Sequence, residues 1–196
     1  MQLRSARLAA LLAVTALAAG TLTACVPEPD PDPAPRWTAS ASPEVAEPLF
    51  ASDEEALAAA EAAYAEYQRL VDVASTSGGV ETAGLDVVSD GAALERALAD
   101  AEDFREAQIH STGATSFTVH KAQSLKYESS EGTELRIYVC DDVSAAGLWA
   151  SNGDSLVDQE GSPLIPFEIT VAFVARKGLV LVEKNYWKGT DFCAAS

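Results

Sequence analysis

The chain has 196 residues, 48% hydrophobic and 22% charged, which is enough for one ordinary globular domain, short for two, and excludes a disordered chain. Lys and Arg number 13 against 30 Asp and Glu, a net charge of −17 that argues against nucleic acid as a partner.

Arg4 and Arg7 form a small basic segment, and residues 8–19 (LAALLAVTALAA) are an apolar run of the length of a signal-peptide core. The run is too short to span a membrane, which takes about 20 apolar residues. Leu22-Thr23-Ala24-Cys25 follows directly, and these four positions resemble the lipobox of bacterial lipoproteins. The resemblance implies cleavage on the amino side of Cys25 and lipidation of its thiol. Residues 1–24 are then a lipoprotein signal peptide, and the mature chain hangs from the outer face of a cytoplasmic membrane through lipid on Cys25. Buried methylenes contribute about 0.8 kcal/mol each, and two or more acyl chains make such an anchor stable. The acidic protein itself is repelled by anionic headgroups, so the lipid does the tethering.

Residues 25–48 carry Pro27, Pro29, Pro31, Pro33 and Pro35 interleaved with Glu28, Asp30 and Asp32, the composition of an extended, polyproline-like spacer. The folded domain is expected over residues 49–196. Ser52 to Glu55 (SDEE) is a capping box, and behind it Leu57, Ala60, Tyr64, Tyr67 and Val71 recur at spacings of three and four. This spacing predicts a helix from about Asp53 to Ala74, ended by Ser75 to Gly79. Residues 80–88 add a helical turn. Leu94, Ala97, Leu98, Ala101 and Gln108 or Ile109 trace a second amphipathic helix.

Beyond Gly113 the period changes to two. Phe117, Val119, Leu125 and Tyr127, then Leu135, Ile137 and Val139, then Phe167, Ile169, Val171 and Phe173, then residues 179–182 with Tyr186 and Trp187 imply four strands. Glu131-Gly132 and Lys177-Gly178 are hairpin turns, and residues 144–166 read as a long loop or protruding hairpin. Helices followed by a meander give an α+β domain, its amino-terminal helices packed on a curved antiparallel sheet of about four strands. That element order, Cys140-Asp141-Asp142 closing a strand and a last aromatic strand ending at Cys193 resemble the NTF2-like, cone-shaped domains of actinobacterial lipoproteins. The alanine-rich, arginine-bearing leader suits an actinobacterium or one of its phages.

With Cys25 assigned to the lipid, Cys140 and Cys193 remain in a compartment outside the membrane, where a disulfide is the expected outcome. A zinc site is the rival reading, but His110 and His120 are not at ligand spacing with either cysteine. No metal or cofactor is expected. Asp141, Asp142, Asp154 and Asp158 lack the spacing and the glycine of a calcium loop and read as a solvated acidic loop; His120 reads as a half-exposed strand residue.

The sequence has no G-x-S-x-G, H-E-x-x-H, P-loop or G-x-G-x-x-G, and no catalytic residue is assigned. The reading is a non-enzymatic binding or accessory module of the cell envelope, its partner another envelope protein or a small apolar ligand. The NTF2-like resemblance also implies an alternative, an isomerase or cyclase working on a small apolar ligand inside the cone. Tyr64, Tyr67 and Tyr138 are then the pocket candidates, and Glu168 and Glu183 the strand carboxylates open to a base role. A further alternative is a phage-encoded lipoprotein that blocks superinfection.

Overall fold

Ser52 caps the first helix, and its hydroxyl accepts the N–H of Glu55 (3.3 Å) while Glu55 Oε2 accepts the N–H of Ala51 (2.8 Å). The box therefore satisfies one of the donors that a helix start leaves unpaired, and ties down the N–H of the residue before the cap. In the computed structural model, which describes residues 48–157, 162–189 and 192–193, helix α1 runs Asp53–Thr76. It extends two residues past the expected end, because the Ser75 and Thr76 hydroxyls both turn back onto the carbonyl of Asp72. The expected signal peptide 1–24, Cys25 and nearly all of the spacer lie outside the described residues.

A short helix α2 (Leu85–Val88) and a longer α3 (Gly91–Ala107) follow. The buried face of α3 is Ala93, Ala97 and Ala101, and Leu98, expected in the apolar stripe, is 44% exposed. Residues four apart form one ridge, and a ridge of alanines lets the helix lie close against its neighbours where leucine would hold it off. The helix also stops before Ile109, because Gln108 turns left-handed (φ 53°) and Ile109 opens a strand.

At the end of α1 the chain passes α3 so closely that a Cβ on Gly79 (φ +82°) would stand 1.8 Å from the Ala101 carbonyl oxygen. Gly79→Ala combines a left-handed backbone with a backbone clash, and its expected cost is more than about 2 kcal/mol, read as a lowered urea midpoint. An unchanged midpoint would show that the two helices do not meet there.

The strands are β1 (Ile109–Thr112), β2 (Ser116–Lys126), β3 (Glu134–Asp142), β4 (Gly147–Ala150), β5 (Leu164–Val174) and β6 (Gly178–Tyr186). Four form an antiparallel sheet in the order β2-β3-β5-β6, and β1 and β4 pair separately. The region expected as a loop thus holds β4 and the start of β5, with Pro166 paired to Cys140 inside the ladder. Leu135, Ile137, Val139, Ile169, Val171 and Leu181, all fully buried, face the helices and pack with Ala56, Ala60 and Tyr64 of α1. The fold is α+β, as expected, with the helices on one face of the sheet.

Both edge strands of the four-stranded sheet are irregular. β2 slips register twice, between Val119 and Lys121 and between Ala122 and Ser124. β6 slips once, between Leu181 and Glu183, and its free edge is met by Ser89, which bridges Leu181, and by the N–H of Asp90, which donates to the Leu181 carbonyl.

Candidate functional site

Beneath α1, where the alternation of β3 calls for another apolar side chain after Leu135, Ile137 and Val139, the inward position is Asp141, 2% exposed. Lys184 Nζ donates to Asp141 Oδ2 (2.7 Å) and to Gln68 Oε1 (3.0 Å). The Tyr64 hydroxyl donates to the same carboxylate (2.8 Å to Oδ1), and Gln68 Nε2 adds a longer contact at 3.4 Å. The ammonium also stands 4.4 Å from the Phe167 ring centroid and 5.3 Å from that of Tyr64. A buried carboxylate is tolerable only with such a set of donors, and the rings add a cation–π contribution. Burial pulls Lys184 below its ordinary value, opposed by Asp141, and pushes Tyr64 well above its own, with Asp141 adding to the shift. Burial likewise raises Tyr67 to about 12.

This cluster corrects the reading of Asp141 as part of a solvated acidic loop. Asp142 fits that reading better, capping the Ser144 N–H at 2.8 Å, as does exposed Asp154. Of the three pocket tyrosines, Tyr64 and Tyr67 stack on each other (6.2 Å) on the inner side. Tyr138 does not join them. It lies between inward Ile137 and Val139, so it projects from the opposite face of the sheet, against Trp187 (5.0 Å) and Phe192 (5.5 Å), with Lys121 over its ring. Glu168, its ladder neighbour, and Glu183, beside Thr170, lie on that outer face too, remote from Tyr64 and Tyr67. Exposed His120 stacks on Phe192 at 4.9 Å. Cys140 and Cys193 have their sulfurs 2.09 Å apart and their Cα atoms 5.7 Å apart, so the final described residues are stapled over this outer face.

Two open chambers lie beside the polar cluster, between α1, α3 and the β1–β4 pair. One chamber of about 270 Å³ has Tyr67, Val71 and Ala74 of α1 facing Ala97, Ala101 and Phe104 of α3. A second of about 290 Å³ runs on between Val71 and Phe104 toward Leu148 and Val157. Val71, Ser75 and Phe104 line both, so the two chambers of this groove adjoin at a waist made by these side chains. This explains why Val71, expected in the core stripe, is only half-buried. Each chamber is near the lower end of the roughly 300–1,000 Å³ of small-molecule sites. Asp72 lines the second chamber, and burial raises its carboxyl although the Thr115 N–H donates to it at 3.0 Å.

The pH dependence of stability follows from these groups. Tyr67 keeps its proton to about pH 12 when folded and to about 10 when unfolded, so between those values the folded chain binds more protons than the unfolded one. Stability is therefore fully present below pH 10 and is lost as pH rises, by up to about 1.4 kcal/mol per pH unit for this one buried group. Tyr64 acts in the same direction. Lys184 has the opposite sign: its folded value is below 10.5, so its burial penalty fades as pH approaches 10.5. Urea midpoints are expected to hold or rise slightly up to about pH 10 and then fall steeply. Midpoints that continue to rise from pH 10 to 12 would contradict the burial of both tyrosines.

No family model and no curated protein matches the chain. Among solved structures it is similar to the intermembrane space region of the chloroplast protein ARC6, at 16% identity over 67% of this chain and 96% of that one, with a TM-score of 0.49.

Proposed function

We propose that the chain is a lipoprotein, anchored through Cys25 to the outer face of a cytoplasmic membrane, whose NTF2-like domain is a binding module that takes a small apolar ligand in the groove between α1, α3 and the β1–β4 pair. The observation that carries the binding part is the contrast between two neighbouring regions. The polar interior is closed, its carboxylate, amine and hydroxyl spent on one another, whereas the groove beside it is open and walled by Val71, Ala97, Ala101 and Phe104. Glu168 and Glu183, the carboxylates open to a base role in an isomerase or cyclase, stand on the other side of the sheet from this groove, and Asp141 is fully engaged. That distribution favours binding over turnover. The anchor rests on the sequence Leu22-Thr23-Ala24-Cys25 behind an apolar leader.

Two measurements test the proposal. An alkyne fatty acid fed to cells is expected to label the wild-type chain, and Cys25→Ala to abolish the label and leave the chain uncleaved or shed into the medium. A wild-type chain without label would refute the anchor. For the groove, the neutral probe N-phenyl-1-naphthylamine is expected to bind saturably with a rise in fluorescence, and Val71→Gln at the waist to weaken it about tenfold or more. Equal binding by both proteins would place the ligand elsewhere.

A further inference from the structure

We infer that the ligand of this groove is a hydrophobic cation, an apolar molecule with one amine or quaternary ammonium head; the inference rests on the groove being a ligand site, as proposed above. The charged side chains among the lining of the two chambers are Asp100 and Asp103 in one and Asp72 in the other; no Lys, Arg or His is among the lining residues, and Arg96, which pairs with Asp100, stands outside the lining. An apolar anion therefore finds no cationic partner among the lining residues, and a neutral molecule gains nothing from the carboxylates.

The carboxylates are also placed for the task. Asp100 and Asp103 lie on α3, flanking the side of the first chamber whose walls are Ala97, Ala101 and Phe104. Asp100 gives Oδ1 to Arg96, whose side chain is 75% exposed and readily exchanged for a ligand's charge, and Asp103 has no ion pair among the described residues. Tyr67 and Phe104 present aromatic rings to the same chamber, and an ammonium within about 6 Å of a ring face gains further attraction that an alcohol does not. Beside the waist the Ser111 hydroxyl donates to Ser75 Oγ (2.8 Å), and Ser75 in turn donates to the Asp72 carbonyl (3.1 Å), so both hydroxyls are partnered and make no demand on the tail passing them. Apolar walls hold the tail, and carboxylates with rings select the sign of the head.

The test uses three probes with a common tail: 4-phenylbutyltrimethylammonium, 4-phenylbutanol and 4-phenylbutanesulfonate. They are titrated by calorimetry into the full chain in phosphatidylcholine nanodiscs, with empty nanodiscs as the blank. The cation is expected to bind about tenfold tighter than the alcohol, and the sulfonate more weakly than either. Asp100→Asn with Asp103→Asn is expected to remove the preference while the alcohol still binds. Glu128→Gln with Glu131→Gln, exposed and far from the groove in the β2–β3 turn, is expected to leave the preference intact. Equal binding of cation and alcohol would overturn the inference and leave the groove as a neutral site. A preference that survives Asp100→Asn with Asp103→Asn would overturn it as well, tracing the attraction to the net charge of −17. Failure of all three probes to bind would refute the groove reading beneath it.

Discussion

Lys184→Met is expected to lower the unfolding free energy by about 3–5 kcal/mol, the cost of leaving a buried charge without its partner. Asp141 is the charge in question: its side chain is 3% exposed, and Lys184 Nζ at 2.7 Å is its cationic neighbour. Tyr64 and Gln68 would still donate to the carboxylate, but neutral donors offset only part of the desolvation of an ion. Adding Asp141→Leu to Lys184→Met is expected to recover most of the loss, because well-packed apolar replacements of a buried pair are often neutral. What remains is about 1–3 kcal/mol for a Tyr64 hydroxyl with no acceptor. Urea unfolding of both single variants and the double gives the coupling directly. A loss below about 1 kcal/mol in Lys184→Met would mean that the ammonium reaches water instead of the carboxylate.

Cys140→Ala with Cys193→Ala, or reduction of the native chain, is expected to cost about 4 kcal/mol, since the bond closes a segment with a sequence separation of 53. Most of this arises in the unfolded chain, which regains the freedom that the cross-link denies it. A local effect comes in addition. Phe192, next to Cys193, packs against Tyr138 and His120, so loss of the staple frees the aromatic cover of the outer face. Tryptophan emission from Trp187 is expected to shift on reduction before global unfolding, because that ring meets both Tyr138 and Phe192. Thermal midpoints that coincide in oxidised and reduced protein would refute the bond's role.

Much of the architecture was legible because its causes are local. The capping box at Ser52, the three-and-four spacing of α1 and the alternation of Leu135, Ile137 and Val139 each depend on neighbours within a turn or a strand. The short strands β1 and β4 were not legible. Four residues carry too little periodicity, and their pairing joins Ile109 to Ala150 across the sequence. Within the site, two errors have different origins. The same alternation that buried Ile137 and Val139 already assigned Tyr138 to the outer face and Asp141 to the inner one, and following it to the end of β3 would have separated the tyrosines and found the buried carboxylate. Lys184 could not be found that way. With Leu181 inward, strict alternation turns Glu183 inward and Lys184 out; the register slip between them reverses both and brings the lysine to Asp141.

The same kind of slip decides how the sheet meets other molecules. An edge strand presents a row of unpaired N–H and C=O groups, the template on which a foreign strand adds and fibrils grow. In β2 the row is cut into pieces, Ser116–Val119, Lys121–Ala122 and Ser124–Lys126, with lysines at 121 and 126. At the other edge, Ser89 and Asp90 already occupy the backbone of Leu181. Among the described residues, growth of the four-stranded sheet is thus opposed at one side by kinks and charge and at Leu181 of the other by the chain itself, so domains crowded side by side meet interrupted edges instead of a full-length template.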